Sequence, residues 1–289
     1  MYFTKQTIQV GVIIFTFVVG VLLIFGLYKN IKMFPLEVSF LDVGQGDAIL
    51  INYLHQYQVL IDSGPNGKKV LTELSKVMPF MDNKIEVIIV THPDRDHFAG
   101  FIDVLKKYNV GLILDNGQDF NDEIWQEFQR LIIEKNIKKK VITEGSSMQI
   151  VGQNKYEKVS FEFFNPDKII VDKKEKNDSS IVARMDYGKN SFLFTGDAGF
   201  NAEADMIFDK EDLDVDFLKV GHHGSKYSTS NFFLARVMPK WAIISVGQNN
   251  YGHPTKEVLG RLQKIGSKIL RTDELDTIIL QCNINCIIK

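Results

Sequence analysis

Three short, largely apolar runs in this chain each end in side chains that commonly bind metal ions. Runs of this length and composition predict buried β-strands. Because functional groups are often carried on loops at the end of a rigid sheet, these strand ends predict one site along one sheet edge. Imidazole and carboxylate groups together suit zinc, manganese or iron. The runs are Val87–Val90, Phe192–Thr195 and Leu218–Val220, and the residues that follow them are His92, Asp94, Asp96, His97, Asp197, His222 and His223.

The composition is that of a folded enzyme. The chain has 289 residues, of which 45% are hydrophobic and 24% are charged, and this is enough to bury a sizeable core. The formal net charge is -2, so the chain lacks the global basic field that is typical of nucleic-acid-binding proteins. The charge therefore permits a nuclease but gives that function no support.

An uncharged and mostly apolar stretch extends from Gln6 to Tyr28. Its length meets the roughly 20 residues that span a bilayer, and it is apolar on all sides rather than striped. A cleavable signal peptide is the alternative, but its apolar part is usually about 7–15 residues long and ends at a small-residue site. No Ala-x-Ala follows here. We therefore predict a retained signal-anchor within residues 1–33, with the lipid bilayer as its partner.

The predicted anchor gives a single-pass cell-membrane protein whose remaining part is one hydrolase domain, residues 34–289. The lysines on the two sides of the apolar stretch do not decide its orientation. A single anchor before a soluble domain most simply leaves that domain outside the cytoplasm, and we predict this topology.

Strand-like and helix-like patterns alternate beyond the anchor. Amphipathic helices are predicted near Lys68–Met78 and Phe98–Tyr108, and the second half of the chain repeats the alternation. The middle of the chain is more polar. We interpret Lys138–Lys140 as a solvated basic patch and Asp167–Asp178 as a charged loop.

Several motifs carry a resemblance to the metallo-β-lactamase superfamily. His92-Pro-Asp94-Arg-Asp96-His97 resembles its His-x-His-x-Asp-His motif, with Asp94 in place of the second histidine. Thr195-Gly-Asp197 resembles its bridging aspartate, and Gly221-His222 resembles its last histidine. More narrowly, about residues 36–281 are similar to the hydrolase domain of the ComEC family of DNA-uptake competence proteins. The segments that carry this likeness are Phe40–Ala48, Leu60–Gly64, Asn177–Val182, Val220–Ser225 and Asn250–Pro254.

The resemblance implies an αββα sandwich of two mixed β-sheets, here preceded by one N-terminal transmembrane helix. It also implies a metal site that activates water for hydrolysis near neutral pH. Two ions about 3.5–4 Å apart can stabilise the attacking and leaving oxygens of a phosphoryl transfer. In the implied ligand set, one ion binds His92 and Asp94, the other binds Asp96, His97 and His222, and Asp197 bridges the two.

The first of these metal sites departs from the superfamily pattern. No histidine lies between His97 and His222, and the matching loop Asn177–Ser180 offers oxygen donors instead. With Asp94 in place of a histidine, the site is oxygen-rich, which favours manganese or magnesium relative to zinc. We therefore predict one or two divalent ions, zinc or manganese, with magnesium as a further option.

Other residues have predicted roles beside the ions. Asp96 is a ligand or a general base, and His253, in a turn-rich loop, is a predicted general acid. Asp42, Asp47 and Asp62 flank turns, where aspartate commonly binds backbone N–H groups. The predicted substrate contacts or supports of the ligands are Asp62, Ser179, His223 and Ser225.

The two cysteines, Cys282 and Cys286, do not form a zinc framework. In a continuous strand their Cα atoms would lie ~13 Å apart, which is beyond disulfide reach. A turn through Asn283–Asn285 would bring them together, so the sequence leaves both states open.

These observations predict a membrane-anchored, metal-dependent hydrolase. The favoured reaction is phosphodiester hydrolysis on DNA or another extracellular phosphodiester, since carboxylate-rich binuclear sites suit phosphate oxygens. DNA as the substrate rests on the family resemblance, and one fold supports many chemistries. The first alternative is a hydrolase of a lactam, lactone or thioester, which predicts a narrow apolar pocket. The second is a catalytically degenerate binding domain, which predicts no turnover with any metal. The oligomeric state stays open.

Overall fold

The computed structural model describes residue 9 and residues 12–21, 34–152, 158–167, 177–209 and 211–289. The chain divides into two units, Met1–Phe34 and Pro35–Lys289. In the first unit residues 12–21 are helical, and most of the predicted span Gln6–Tyr28 lies outside the described residues. Of the helices that are described, none is long and apolar enough to cross a membrane. The signal-anchor and the two predicted domains stay predictions.

The second unit contains two mixed β-sheets. Its strands, in chain order, are β1 (Leu36–Phe40), β2 (Ile49–Tyr53), β3 (Tyr57–Ile61), β4 (Lys84–Ile89), β5 (Asn109–Asp115), β6 (Lys138–Val141), β7 (Ser147–Val151), β8 (Lys158–Asn165), β9 (Val182–Tyr187), β10 (Asn190–Phe194), β11 (Phe217–Lys219), β12 (Trp241–Ile244), β13 (Lys268–Arg271), β14 (Ile278–Cys282) and β15 (Cys286–Ile288). The first sheet has the order β15-β14-β1-β2-β3-β4-β5-β6 and the second the order β13-β12-β11-β10-β9-β8-β7. The strands from β3 to β6 and from β10 to β13 pair in parallel, and the others pair antiparallel.

Helices cover the outer face of each sheet. They are α1 (Gly67–Val77), α2 (Arg95–Phe98), α3 (Phe101–Lys107), α4 (Glu123–Glu134), α5 (Phe200–Phe208), α6 (Asn231–Val237), α7 (Lys256–Lys264) and α8 (Thr272–Leu275), with a 3₁₀ turn at Gly221–Gly224. The buried side chains of α1, α3 and α4 pack with the outer face of the first sheet, and those of α5, α6 and α7 pack with the second.

The hydrophobic core between the sheets follows from the alternation of side chains along each strand. On β3, Val59 and Ile61 face the second sheet, whereas Leu60 packs against the helices. Phe40 and Phe194 come from different sheets and meet with ring centroids 6.3 Å apart. The layers are therefore helix, sheet, sheet and helix, as predicted for an αββα sandwich of mixed sheets.

Two regions differ from the predicted elements. Residues interpreted as a solvated basic patch form β6, the edge strand of the first sheet. Consecutive lysines are compatible with an edge, because charge there discourages pairing with another chain. The predicted helix Phe98–Tyr108 is divided at Gly100, where an added Cβ would lie 2.2 Å from the carbonyl oxygen of Ser63. Residues 168–176 of the predicted charged loop lie outside the described part of the chain.

Cys282 and Cys286 form a disulfide across the β14–β15 hairpin. The turn through Asn283–Asn285 places their Cα atoms 3.9 Å apart. Of the two states that the sequence leaves open, the structure contains the bridged one.

Backbone hydrogen bonds join the loops at one end of the two sheets. The N–H of Ser63, after β3, donates to the carbonyl oxygen of His97 at 2.6 Å. Between the sheets, the N–H of Ile181 donates to Thr91 at 2.9 Å. The N–H of His222 donates to Gly196 at 3.2 Å. The predicted ligand-bearing strand ends therefore meet in one place.

Candidate metal centre

Asp197 lies at the centre of the site, in the loop after β10. The preceding Gly196 has a φ of 51°, and an added Cβ would lie 3.0 Å from Ser180 Cβ and 3.1 Å from Thr91 Cβ, so this turn requires glycine. The N–H of Asp197 donates to Ser180 Oγ at 3.1 Å. The buried carboxylate of Asp197 is thereby held between imidazoles from both sheets.

His97, on α2, faces Asp197 from the first sheet. Its Nδ1 lies 2.8 Å from Asp62 Oδ2, and Asp62 also accepts hydrogen bonds from Thr91 N at 2.9 Å and Thr91 Oγ1 at 2.7 Å. A carboxylate only accepts, so the Nδ1 of His97 carries a proton and its Nε2 is the nitrogen that faces the centre. That Nε2 lies 3.2 Å from Asp197 Oδ1. Asp62 makes the contact expected of a residue that supports a ligand histidine.

His92 approaches the same carboxylate after β4. Its buried ring has Nδ1 3.0 Å from Thr91 Oγ1 and 3.3 Å from Ser180 Oγ. Its Nε2 lies 3.7 Å from Asp94 Oδ2 and 4.0 Å from Asp197 Oδ2. As in His97, one nitrogen is held by neighbouring polar groups and the other faces the centre.

His223, predicted as a support of the ligands or as a substrate contact, lies inside the cluster. Its Nδ1 lies 2.9 Å from the carbonyl oxygen of Ser245, to which it donates. Its Nε2 lies 3.4 Å from Asp96 Oδ2 and 3.6 Å from Asp197 Oδ1. The two adjacent histidines both have positive φ, 48° for His222 and 53° for His223, and their ring centroids lie 6.2 Å apart at an interplanar angle of 78°.

His222, the predicted ligand, lies on the solvent side of Asp197. Its side chain is 29% exposed, and its Nε2 lies 3.6 Å from Asp197 Oδ2. Its Nδ1 lies 3.3 Å from Asn177 Nδ2. The structure therefore brings both histidines to the carboxylate of Asp197, and the ligand role of His222 stays a prediction.

An ion pair between Asp47 and Lys219 forms the floor of the cluster. Both side chains are buried, Lys219 Nζ contacts Asp47 Oδ2, and Nζ donates to the carbonyl oxygen of Gly196 at 3.0 Å. Asp47 Oδ1 lies 3.3 Å from His223 Nδ1. The sequence prediction places Asp47 in a turn and does not assign Lys219 a role. A lysine within an apolar strand that leads to two histidines is the signal that points to it.

The buried polar atoms fit a divalent cation. An unpartnered buried polar atom costs about 1–3 kcal/mol, so a concentration of such atoms requires an explanation, and a metal ion supplies it. The histidines and aspartates of the cluster form four overlapping sets of three residues. In each set, one ligand atom from each residue lies within 4.8 Å of the other two. Among the described residues, the atoms without a hydrogen-bond partner include Nε2 of His92, His97 and His223 and Oδ1 of Asp47 and Asp197.

Charges within the cluster determine its protonation. Burial by itself would raise the pKa of Asp197, but His97 and His223 hold it well below its ordinary value. Burial and the charge of His97 lower the pKa of His92 to about 4. Burial by itself would lower the pKa of His223, but Asp197 and Asp47 raise it to about 10. Protons and a metal cation therefore compete for the same carboxylate–imidazole pairs.

His253 lies beside His222, with ring centroids 5.6 Å apart. Burial and the neighbouring His222 lower the pKa of His253, which favours the neutral ring. A neutral imidazole holds one proton fewer, so this shift does not favour the predicted role of general acid. That role stays a prediction.

The two serines of the predicted site make hydrogen bonds within one loop and between two loops. The buried Ser225 donates its backbone N–H to the carbonyl oxygen of His222 at 2.8 Å. The carbonyl oxygen of Ser179 accepts a hydrogen bond from Asn116 Nδ2 at 3.0 Å. Both serines therefore shape the loops of the cluster, and their predicted substrate contacts are untested.

The sequence profile of the metallo-beta-lactamase superfamily matches residues 41–248, which is well over half of the chain. The chain belongs to this superfamily. The match contains every residue of the central cluster, from Asp47 to His223. The predicted resemblance is thereby confirmed. Superfamily membership and the His/Asp cluster together indicate a metal-dependent hydrolase.

Relatives of this superfamily member include proteins of bacterial competence. "ComE operon protein 3" of Bacillus subtilis (strain 168) is 33% identical over 268 residues, which cover 84% of this chain and 32% of that protein. "Recombination protein 2" of Haemophilus influenzae is 32% identical, with 85% and 29% covered. "Competence protein ComA" of Neisseria gonorrhoeae is 29% identical, with 82% and 31% covered. The chain thus spans about a third of the length of these relatives.

A solved structure shows the same fold. "CmlA beta-hydroxylase E377D mutant" aligns with a TM-score of 0.55 and 13% sequence identity, covering 86% of this chain and 54% of that one. At this identity the likeness concerns the architecture alone. It agrees with the two-sheet metallo-beta-lactamase sandwich described above.

Proposed function

We propose that this protein is a metal-dependent phosphodiesterase that acts on DNA or another extracellular phosphodiester. The observation that carries the proposal is the convergence of three imidazole Nε2 atoms on the buried carboxylate of Asp197. The competence relatives support DNA as the substrate, because one of them is named for competence and another for recombination.

The residues that would hold the ion are His92, His97, His223 and Asp197, with Asp94, Asp96 and His222 at the rim. When bound, a divalent ion supplies Lewis-acid chemistry, making water more acidic and neutralising charge on a phosphoryl oxygen. Asp96 Oδ2 lies at the partly exposed edge of the cluster, 3.4 Å from His223 Nε2, where it can accept a hydrogen bond from an attacking water and orient it. Asp62 and Ser245 orient the ligand rings.

A phosphodiester is favoured over a lactam, lactone or thioester because of the donor set. Asp94 and Asp96 add carboxylate oxygens at the rim of the imidazole cluster, and oxygen donors suit the hard cations that bind phosphate oxygens. Zinc, manganese and magnesium are the ions to compare. The lactam, lactone and thioester hydrolases and the degenerate binding domain are outcomes of the test below.

The proposed location is the cell membrane, with the hydrolase domain outside the cytoplasm. The uncharged stretch Gln6–Tyr28 supports an anchor in the bilayer. The disulfide between Cys282 and Cys286 supports an oxidising compartment, because cytoplasmic thiols are kept reduced. Protease added to intact cells should cleave the domain. If the domain is cleaved only after the cells are lysed, it lies in the cytoplasm and the proposed topology is wrong.

The function is tested by turnover of the full-length chain, stripped of metal and reloaded with manganese, zinc or magnesium. The substrates are bis(4-nitrophenyl) phosphate and single- and double-stranded DNA. We expect metal-dependent cleavage that Asp197→Ala and His97→Ala both abolish, with lower bound metal by elemental analysis. The matched controls are Asp209→Ala and His55→Ala, which remove an exposed carboxylate after α5 and an imidazole in the β2–β3 turn.

Three other outcomes are informative. Bound metal without cleavage of any phosphodiester would shift the assignment to lactam, lactone or thioester substrates. Protein that binds no ion and cleaves nothing would support the degenerate binding domain. Unchanged metal content in both Asp197→Ala and His97→Ala would remove the ligand assignment.

A further inference from the structure

Three aromatic rings, here called the aromatic column, contact one another in a row from the solvent to the metal centre. They belong to Tyr251, His253 and His222. Tyr251 is 75% exposed, and its ring stacks on His253 with centroids 5.7 Å apart and an interplanar angle of 30°. His253 in turn meets His222 at 5.6 Å. His222 Nε2 lies 3.6 Å from Asp197 Oδ2, in the cluster itself. The column therefore leads from an open aromatic face to the place where the scissile bond would bind.

The side chain of Asn249 holds the backbone of the loop that carries Tyr251. Asn249 Oδ1 accepts hydrogen bonds from the N–H of Tyr251 at 3.0 Å and of His253 at 3.1 Å. Asn249 Nδ2 donates to the carbonyl oxygens of Gly247 at 2.9 Å and His253 at 2.8 Å. The backbone under Tyr251 is thus positioned while its side chain stays exposed. A large ring on a fixed backbone loses little conformational entropy when it binds a flat partner.

The column is connected to the loop of the metal-centre histidines. The N–H of Thr255 donates to the carbonyl oxygen of Gly224 at 2.9 Å, and Thr255 Oγ1 donates to the same oxygen at 3.1 Å. The loop after Gly224 also exposes Tyr227, whose ring lies 5.1 Å from Lys226 Nζ. The loop that follows the metal-centre histidines therefore carries an exposed aromatic ring and a cation, the two kinds of group that bind single-stranded nucleic acids.

We propose that Tyr251 is a stacking subsite for a nucleobase adjoining the scissile phosphate. This inference rests on the proposed phosphodiesterase function and specifies its substrate as one with an unpaired base. A base within a duplex is stacked on its neighbours and cannot offer its face to Tyr251. The subsite therefore selects single-stranded ends or unpaired nucleotides over continuous duplex.

The experiment compares two phosphodiesters with the same leaving group, thymidine 5′-(4-nitrophenyl phosphate) and methyl 4-nitrophenyl phosphate, on the full-length, metal-loaded protein. We expect Tyr251→Ala to lower the ratio of their kcat/KM values at least about tenfold, the scale of one base–aromatic stack. Tyr251→Phe keeps the ring face and should restore the ratio. The control is Phe80→Ala, which removes a 93% exposed ring in the loop before β4, at the opposite end of that strand from His92.

Fluorescence of single-stranded oligonucleotides that contain 2-aminopurine provides a second measurement. Stacking quenches this base, so the wild type and Tyr251→Phe should quench it more than Tyr251→Ala, whereas the paired probe in a duplex should not respond. An unchanged kcat/KM ratio in Tyr251→Ala, or an equal loss on both esters, overturns the stacking subsite and leaves the phosphodiesterase intact. If the wild type hydrolyses neither ester with any of the three metals, the proposed function fails and the subsite fails with it.

Discussion

The imidazoles of the metal centre are oriented by hydrogen bonds on their second nitrogens. His97 is held by Asp62, His92 by Thr91 and Ser180, and His223 by the carbonyl oxygen of Ser245. In each ring the Nε2 atom is left to face Asp197. Such partners fix ring orientation, and their loss typically lowers metal affinity by about 10–100-fold. At the residue scale, the centre therefore depends on pairs of side chains rather than on ligands alone.

The two adjacent histidines should differ in their effect on metal binding. We expect His223→Ala to lower the affinity for manganese or zinc at least about tenfold, because its buried Nε2 faces both Asp96 and Asp197. His222→Ala should lower affinity less, since His222 is partly exposed. Isothermal titration of the metal-stripped variants measures both values. A larger loss in His222→Ala than in His223→Ala would instead support the ligand predicted from sequence.

The buried ion pair of Asp47 and Lys219 should contribute strongly to folding. We expect Lys219→Met to lower the free energy of unfolding by about 3–5 kcal/mol, because it leaves a buried carboxylate without its cation. Adding Asp47→Asn should recover part of the loss, since the remaining pair is uncharged. Urea unfolding of metal-stripped protein gives the double-mutant cycle. Additive losses in the double variant would mean that the two side chains do not act as a pair.

At the scale of elements, two outer helices hold the loop that follows His223. On α5, Glu203 accepts hydrogen bonds from the backbone N–H groups of Thr229 and Ser230, the latter at 2.9 Å. On α7, Arg261 Nη1 donates to the carbonyl oxygens of Ser228 at 2.8 Å and Thr229 at 3.1 Å. The helical layer thereby determines the path of a loop that begins at the metal centre.

Glu203 should make stability depend on pH. Burial raises its pKa from 4.5 to about 7, so between these values the folded state holds a proton that the unfolded state has lost. The free energy of unfolding therefore falls as pH rises through this window, by about 3 kcal/mol in all. Glu203→Gln replaces the titrating carboxyl group with an amide, so this variant lacks the contribution of Glu203 to the pH dependence of stability.

The measurement is the difference in unfolding free energy between the wild type and Glu203→Gln at pH 5, 6, 7 and 8, on metal-stripped protein. We expect the wild type to lose unfolding free energy relative to Glu203→Gln as pH rises. A difference that stays constant across the series would contradict a raised pKa for this carboxyl group.

At the scale of the whole domain, the metal centre joins the two sheets. His92 and His97 follow β4 of the first sheet, whereas Asp197 and His223 follow β10 and β11 of the second. A cation bound by these residues links both halves of the sandwich, in addition to the core between Phe40 and Phe194. Metal binding and domain stability are therefore coupled.

Metal should raise the thermal stability of the domain. An ion at 100 times its dissociation constant stabilises the folded state by about 2.7 kcal/mol, which corresponds to roughly 5–10 °C in a domain of this size. Scanning calorimetry with and without chelator measures the shift in Tm. In Asp197→Ala, most of this metal-dependent shift in Tm should be absent. An equal shift in that variant would place the stabilising ion elsewhere.

Local patterns were enough to predict the strand ends that carry the cluster, because strand periodicity and metal-binding side chains are recorded in consecutive residues, and the family resemblance predicted the layered fold. The pairing of Asp47 with Lys219 depends on residues from different sheets, and no local pattern specifies it. Which of His222 and His223 lies inside the cluster depends on the path of the turn Gly221–Gly224, which the two identical residue types do not reveal. The strand β6 was missed because its lysines are exposed at an edge, where sheet hydrogen bonding rather than burial selects the strand. Tertiary packing decides these features because it brings distant groups together in a buried space, where charge and hydrogen bonding must be satisfied.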